Sequence, residues 1–131
     1  MGLDLWITEY QTSSLGFSCK ATETLRVKQT PFQHLSVVHT EQFGRMLLLD
    51  GMVQTTEKDE FVYHEMITLI ALNSHPRPEN VLVIGGGDGG TLREVVRHPA
   101  VTQGTLVEID EEVIKASRDF FPNHSCSFNE S

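Results

Sequence analysis

At 131 residues and 39% hydrophobic composition, the chain has material for one compact domain, or for one small domain and part of a second, and too little for a large enzyme. Its formal charge of −8, with no basic block, argues against nucleic acid as a partner and for cationic ligands. The apolar runs are too short to cross a bilayer, no signal-peptide pattern opens the sequence, and Trp6 breaks the myristoylation pattern that Met1-Gly2 would begin.

Residues 1–55 are rich in Thr, Val, Leu and Phe, in short alternating segments bounded by turn signals. Strands are predicted over residues 6–10, 16–28, 33–40 and 45–49, forming a small antiparallel β meander. Asp50-Gly51, between MLLL and MVQTT, is a two-residue hairpin signal, and a second turn is expected at Phe43-Gly44. From Asp59 the period changes. Phe61, Val62, Met66, Ile67, Leu69, Ile70 and Leu72 trace a helical face, and Asp59 and Glu60 suit the positive end of a helix dipole. His75-Pro76-Arg77-Pro78 ends that helix. VLVIG then reads as a strand buried on both faces, residues 91–98 as a helix, residues 105–109 as a second buried strand, and residues 111–121 as a helix with Asp110 as N-cap. Strand, helix, strand, helix are the first steps of a doubly wound parallel sheet, so the expected division is a β domain over residues 1–55 and a Rossmann-like part over 56–131. Cys19 and Cys126 lack CxxC spacing and nearby His sets, so they read as reduced thiols of a cytoplasmic protein, and no metal site is expected.

Gly85, Gly87 and Gly90 satisfy G-x-G-x-x-G directly after a strand and at the mouth of a helix. Alone the match is weak. Glu108 strengthens it, since it ends the second strand at close to the roughly 20-residue interval expected of a ribose-binding acid. Asp88 argues against a dinucleotide, because its carboxylate would face the pyrophosphate that a helix N-terminus attracts. A sulfonium nucleoside removes that conflict, and one whose arm ends in an ammonium, without a carboxylate, fits best. The plainer reading of Asp88 is a loop carboxylate satisfying local backbone N–H groups.

The ordered blocks LLLDGMVQTTEKDEFVYHEM, VLVIGGGDGGTLREVVRHP and LVEID resemble the spermidine synthases, the polyamine aminopropyltransferases, over residues 6–122. The resemblance implies a cytoplasmic homodimer or higher homo-oligomer that transfers an aminopropyl group from decarboxylated S-adenosylmethionine to putrescine. No permanently bound cofactor is implied. Gln33 and Glu108 match contacts to the nucleoside, Glu108 on the ribose hydroxyls, with Gly85, Gly86 and Gly87 around it. Asp88 matches the acid that holds amino groups, and Tyr63 and His64 match the pair lining the amine channel, where many relatives carry Gln at the His64 position. Leu49 and Trp6 offer apolar walls or simple packing. After Phe121-Pro122 the chain reads NHSCSFNES, and the family's Asp-Gly pair and its D-S-[ST]-[DE]-P loop, whose first Asp is the proton acceptor, are not in the sequence. The chain therefore reads as a truncated or frameshifted aminopropyltransferase with no catalytic residue assigned, weak or no turnover, and an open sheet edge favouring self-association. Two alternatives stay open: a methyltransferase using intact S-adenosylmethionine, disfavoured by Val83-Ile84 where an acid is usual, and a non-catalytic binding or dimerisation module.

Overall fold

The computed structural model describes residues 4–129, which divide between Asp59 and Glu60 into two compact units. The first is a five-stranded antiparallel sheet in simple order: β1 (Leu5–Thr12), β2 (Leu15–Gln29), β3 (His34–Thr40), β4 (Gly44–Leu49) and β5 (Met52–Thr56). Asp50 and Gly51 both take positive φ, 51° and 79°, the primed turn whose twist matches the strands of the β4–β5 hairpin. At the β3–β4 turn the Thr40 hydroxyl donates to the Gly44 carbonyl at 2.9 Å and accepts from Phe43 N–H at 3.0 Å. Strand β3 starts at His34 because the backbone of Gln33 is engaged in a turn. The Thr30 hydroxyl accepts from the N–H groups of Phe32 and Gln33 and donates to the Gln33 carbonyl. Cys19, Val38, Met46 and Leu48 form a core with Ile7, Phe43 and Val53, while Leu35, Val37 and Leu47 are also buried, so β3 and β4 carry buried apolar residues at successive positions.

The second unit runs α1 (Glu60–Ser74), β6 (Asn80–Ile84), α2 (Gly90–Arg97), β7 (Gln103–Val107), α3 (Glu111–Phe120), a short α4 (Pro122–Ser125) and a 3-10 turn, Cys126–Asn129. Strands β6 and β7 pair in parallel, Asn80 opposite Gln103 and Ile84 opposite Val107, and α2 packs on both strands and on α1. The predicted α/β class is therefore present: a curled antiparallel sheet followed by parallel strands with crossover helices.

Three expectations need correction. Strand β7 lies two residues earlier than 105–109, because its ladder closes where Gly85 N–H meets the Val107 carbonyl at 2.8 Å and Glu108 then turns to hold neighbouring backbone amides. Neither strand is buried on both faces among the described residues. Leu82, Ile84 and Val107 point away from α2 and are 59%, 83% and 55% exposed. On α1 the apolar positions Phe61, Val62, Met66, Ile67 and Ile70 are exposed, and the buried stripe is His64, Thr68 and Leu72, spaced at i, i+4, i+8.

Candidate functional site

The site in the second unit is built around the glycine loop, residues 85–90. Gly85, Gly86 and Gly89 take positive φ, and the loop is pinned from below by Glu108: one carboxylate oxygen accepts from Gly87 N–H at 2.9 Å, the other from Asp110 N–H at 3.1 Å. A Cβ at position 87 would stand 2.8 Å from the Glu108 side chain, so the loop can approach the acid this closely only with glycine there. Asp110 is the N-cap of α3, accepting from Glu112 N–H at 3.1 Å, as the sequence predicts.

Asp88 stands at the N-terminus of α2. One of its oxygens accepts from Gly90 N–H at 2.7 Å, the local backbone role, and the same oxygen lies 3.1 Å from His64 Nε2. The carboxylate therefore occupies the amide that a phosphate would use, which supports the argument against a pyrophosphate ligand. His64 comes from α1 and fills the space a side chain at position 90 would need. A Cβ on Gly90 would collide with the His64 imidazole. That contact is why G-x-G-x-x-G ends in glycine in this chain.

His64 is held from its other nitrogen as well, Nδ1 lying 2.5 Å from a Glu60 oxygen one helical turn earlier. Arg93 of α2 grips Glu60 with both terminal nitrogens, at 2.7 and 2.9 Å, while its Nε donates to Glu94 at 2.7 Å and Nη1 also donates to the Asn123 carbonyl at 3.0 Å. All of this is out of water: side-chain exposure is 9% for Glu60, 2% for His64 and 6% for Arg93. Burial raises the Glu60 carboxyl, but the hydrogen bonds from Arg93 and His64 outweigh it and the group lies below its ordinary pKa. For His64, burial lowers the imidazole, and the hydrogen bond and charge of Asp88, joined by those of Glu60, carry it above its ordinary value. Glu60 and Glu94 press the Arg93 guanidinium upward. Burial leaves His124 of α4, whose ring centroid is 5.9 Å from that of His64, below its usual range despite the charges of Glu60 and Asp88.

The second unit thus gathers Gly85, Gly86, Gly87, Asp88, His64 and Glu108. Tyr63, on the same helix, is 60% exposed, its ring edge-on to His64 at 5.4 Å. Gln33 and Leu49 belong to the first unit, where they share one end of the sheet: Leu49 pairs with Leu35, and Asp50 exchanges hydrogen bonds with His34 at 2.8 Å each. Trp6 lies on β1, exposed. Sequence reasoning missed Glu60, Arg93 and Glu94 as members of the cluster. Their one local signal was a charged pair set between the apolar Leu92 and Val95 of α2.

Two parallel strands, a glycine loop at a helix mouth and an acid just past the second strand define a protein of the Rossmann-like class. The buried carboxylate chain sets it apart from phosphate binders, and comparison with known proteins narrows the class. Residues 60–131 match the spermine/spermidine synthase domain and residues 5–57 the spermidine synthase tetramerisation domain. The chain belongs to the spermine/spermidine synthase family. The polyamine aminopropyltransferase of Desulforudis audaxviator is 56% identical over 127 residues, covering 97% of this chain and 46% of that protein; the Bacillus subtilis one is 57% identical over 120 residues, covering 92% and 44%. Spermidine synthase from Thermotoga maritima superposes with a TM-score of 0.92 at 42% identity, over 96% of this chain and 45% of that one. A spermidine synthase in complex with the transition state analogue AdoDATO gives the same score and identity. The chain spans about half the length of the relatives it matches.

Proposed function

We propose that this chain carries the nucleoside- and amine-binding part of an aminopropyltransferase, which moves an aminopropyl group from decarboxylated S-adenosylmethionine to putrescine and releases spermidine and methylthioadenosine. The observation that supports this reading most directly is Asp88, a carboxylate fixed at the mouth of the glycine loop where a phosphate binder would keep free amides. In this reading Asp88, His64 and Tyr63 receive the amine, and the glycine residues 85–87 with Glu108 receive the nucleoside. Residues 56–131 serve this binding, and residues 1–55 serve assembly into a homo-oligomer, in keeping with their match to a tetramerisation domain. A cytoplasmic setting suits two free thiols, and no helix among the described residues is long and apolar enough to cross a membrane.

The chemistry is a displacement at the carbon beside a sulfonium, whose sulfur leaves neutral and needs no acid. The amine must first lose a proton. An alkylammonium with a pKa near ~10.4 pays about 4 kcal/mol to expose its lone pair at neutral pH, which is why a carboxylate beside the attacking nitrogen accelerates the reaction. Placement of two cations along a line of acids and an aromatic ring supplies the remainder. The D-S-[ST]-[DE]-P motif does not occur in these 131 residues, and none of them is assigned as the proton acceptor. Calorimetry with decarboxylated and intact S-adenosylmethionine tests the reading. Preference for the decarboxylated form, lost in Asp88→Asn, is expected; equal affinity for both in the unaltered chain defeats it.

A further inference from the structure

His64 has a carboxylate oxygen at each ring nitrogen, Glu60 at 2.5 Å from Nδ1 and Asp88 at 3.1 Å from Nε2. A neutral imidazole has one N–H and can donate on one side only; only the imidazolium donates on both. The charges facing the ring come from every element around it. Glu60 lies on its own helix, Asp88 on the glycine loop, Arg93 on α2 and His124 on α4. Arg93 spends its charge on Glu60 and Glu94, and burial favours the neutral form of His124, so the ring meets two anions directly. Glu60 cannot swing away, because the Arg93 fork holds both its oxygens.

From this we infer that Glu60, locked by Arg93, is a positioning residue that keeps His64 as a cation against Asp88 in the empty site, so that an incoming ammonium displaces the proton of His64: one cation is exchanged for another. The inference rests on the reading of Asp88 as the amine acceptor. In the exchange the ligand's N–H groups bond to the Asp88 carboxylate, the Nε2–H bond of His64 breaks, its electron pair stays on the ring as a neutral imidazole still donating from Nδ1 to Glu60, and the proton passes to solvent. Without this exchange two cations would share the Asp88 carboxylate, whose side chain is only 16% exposed. Linkage makes the coupling reciprocal, so the amine lowers the proton affinity of His64 by the factor that the proton lowers amine affinity.

The sign follows from His64 lying above its ordinary pKa between the two carboxylates. Below that raised value the ring is charged and each amine bound releases a proton; above it the ring is already neutral and binding is tighter with no release. Putrescine binding to the 131-residue chain, followed by calorimetry in buffers of different ionisation enthalpy, is expected to strengthen about fivefold or more as pH rises from the ordinary histidine range to well above it, with proton release fading over the same interval. His64→Gln, which donates without titrating, flattens both curves. Glu60→Gln moves them to lower pH, and Glu60→Asp restores part of the shift, a pattern that a purely structural role for Glu60 would not produce. The ring resonances of His64 in the ligand-free chain supply an independent readout: titration above the ordinary range that falls in Glu60→Gln supports the inference. An unshifted titration, or one indifferent to Glu60→Gln in a folded variant, overturns it. If putrescine and decarboxylated S-adenosylmethionine bind at no pH while the ring titrates as described, the proposed function fails for this chain and the role of Glu60 stands.

Discussion

The two units place their apolar and charged residues in opposite ways. In the β unit the apolar residues of the central strands go inside: Leu35, Val37, Met46, Leu47 and Leu48 are all under a twentieth exposed. In the α/β unit Ile84, Ile109, Met66 and Ile70 stand in water while Arg93, Glu94, His64 and Asp110 are buried. The first unit is held by apolar burial, which is non-directional and tolerates exchange of shape. The second is held around its loop by a chain of charge-assisted hydrogen bonds, directional and intolerant of a missing member. A binding loop gains from the second kind of interior, because a fixed carboxylate is of use to a ligand only if its neighbours cannot relax toward it.

The sharpest way to break the contrast is Arg93→Met, which keeps volume and removes the cation that Glu60 and Glu94 share. Leaving buried carboxylates without their partner is expected to cost about 3–5 kcal/mol. Urea unfolding followed by amide hydrogen exchange is expected to place the loss in α1, α2 and the glycine loop, with the β1–β5 amides little changed. A variant as stable as the parent would mean that the ion chain is ornament and that the α/β unit, too, is held by apolar packing.

The same contrast explains what the sequence made legible. Hairpin chemistry at Asp50-Gly51, the Asp110 cap and the glycine motif are local, each decided by residues within a turn of one another, and each is found in the expected place. The buried face of α1 was legible only at Leu72, since the rest of the apolar period points to Phe61, Met66 and Ile70 whereas burial also follows His64 and Thr68. Periodicity reports which side of a helix is greasy and does not say which side is covered. Glu60 and Arg93 lie far apart in sequence on separate helices, and no spacing rule joins them. Only the oddity of a charged pair between Leu92 and Val95 marked the place.

A second test addresses the β unit. Leu47→Ala removes a side chain that is 1% exposed in the middle of β4 and is expected to cost about 3 kcal/mol, the transfer term plus a cavity. Exchange protection should fall across β3, β4 and β5 and stay unchanged in α2. If α2 and the glycine loop lose protection to the same extent, the two units unfold as one and the contrast in their interiors has no thermodynamic consequence.

The smallest expected effect is also the most discriminating for the exposed sheet face. Ile84 is 83% exposed and lies beside Val107 in the parallel ladder, pointing away from α2. In a monomer, Ile84→Thr keeps a β-branched side chain on a strand and should change stability by no more than about 0.5 kcal/mol. A contiguous apolar face of this kind, with Leu82 and Ile109 beside it, is ordinarily covered by another surface. If the face pairs in solution, the same substitution weakens association while leaving the dilute chain untouched, so sedimentation across a concentration series separates the outcomes. A shift toward smaller species in Ile84→Thr assigns the face to an interface, whereas identical sedimentation of both chains means that β6 and β7 carry their apolar side exposed and that burial of α2 on the opposite face is sufficient to hold the pair.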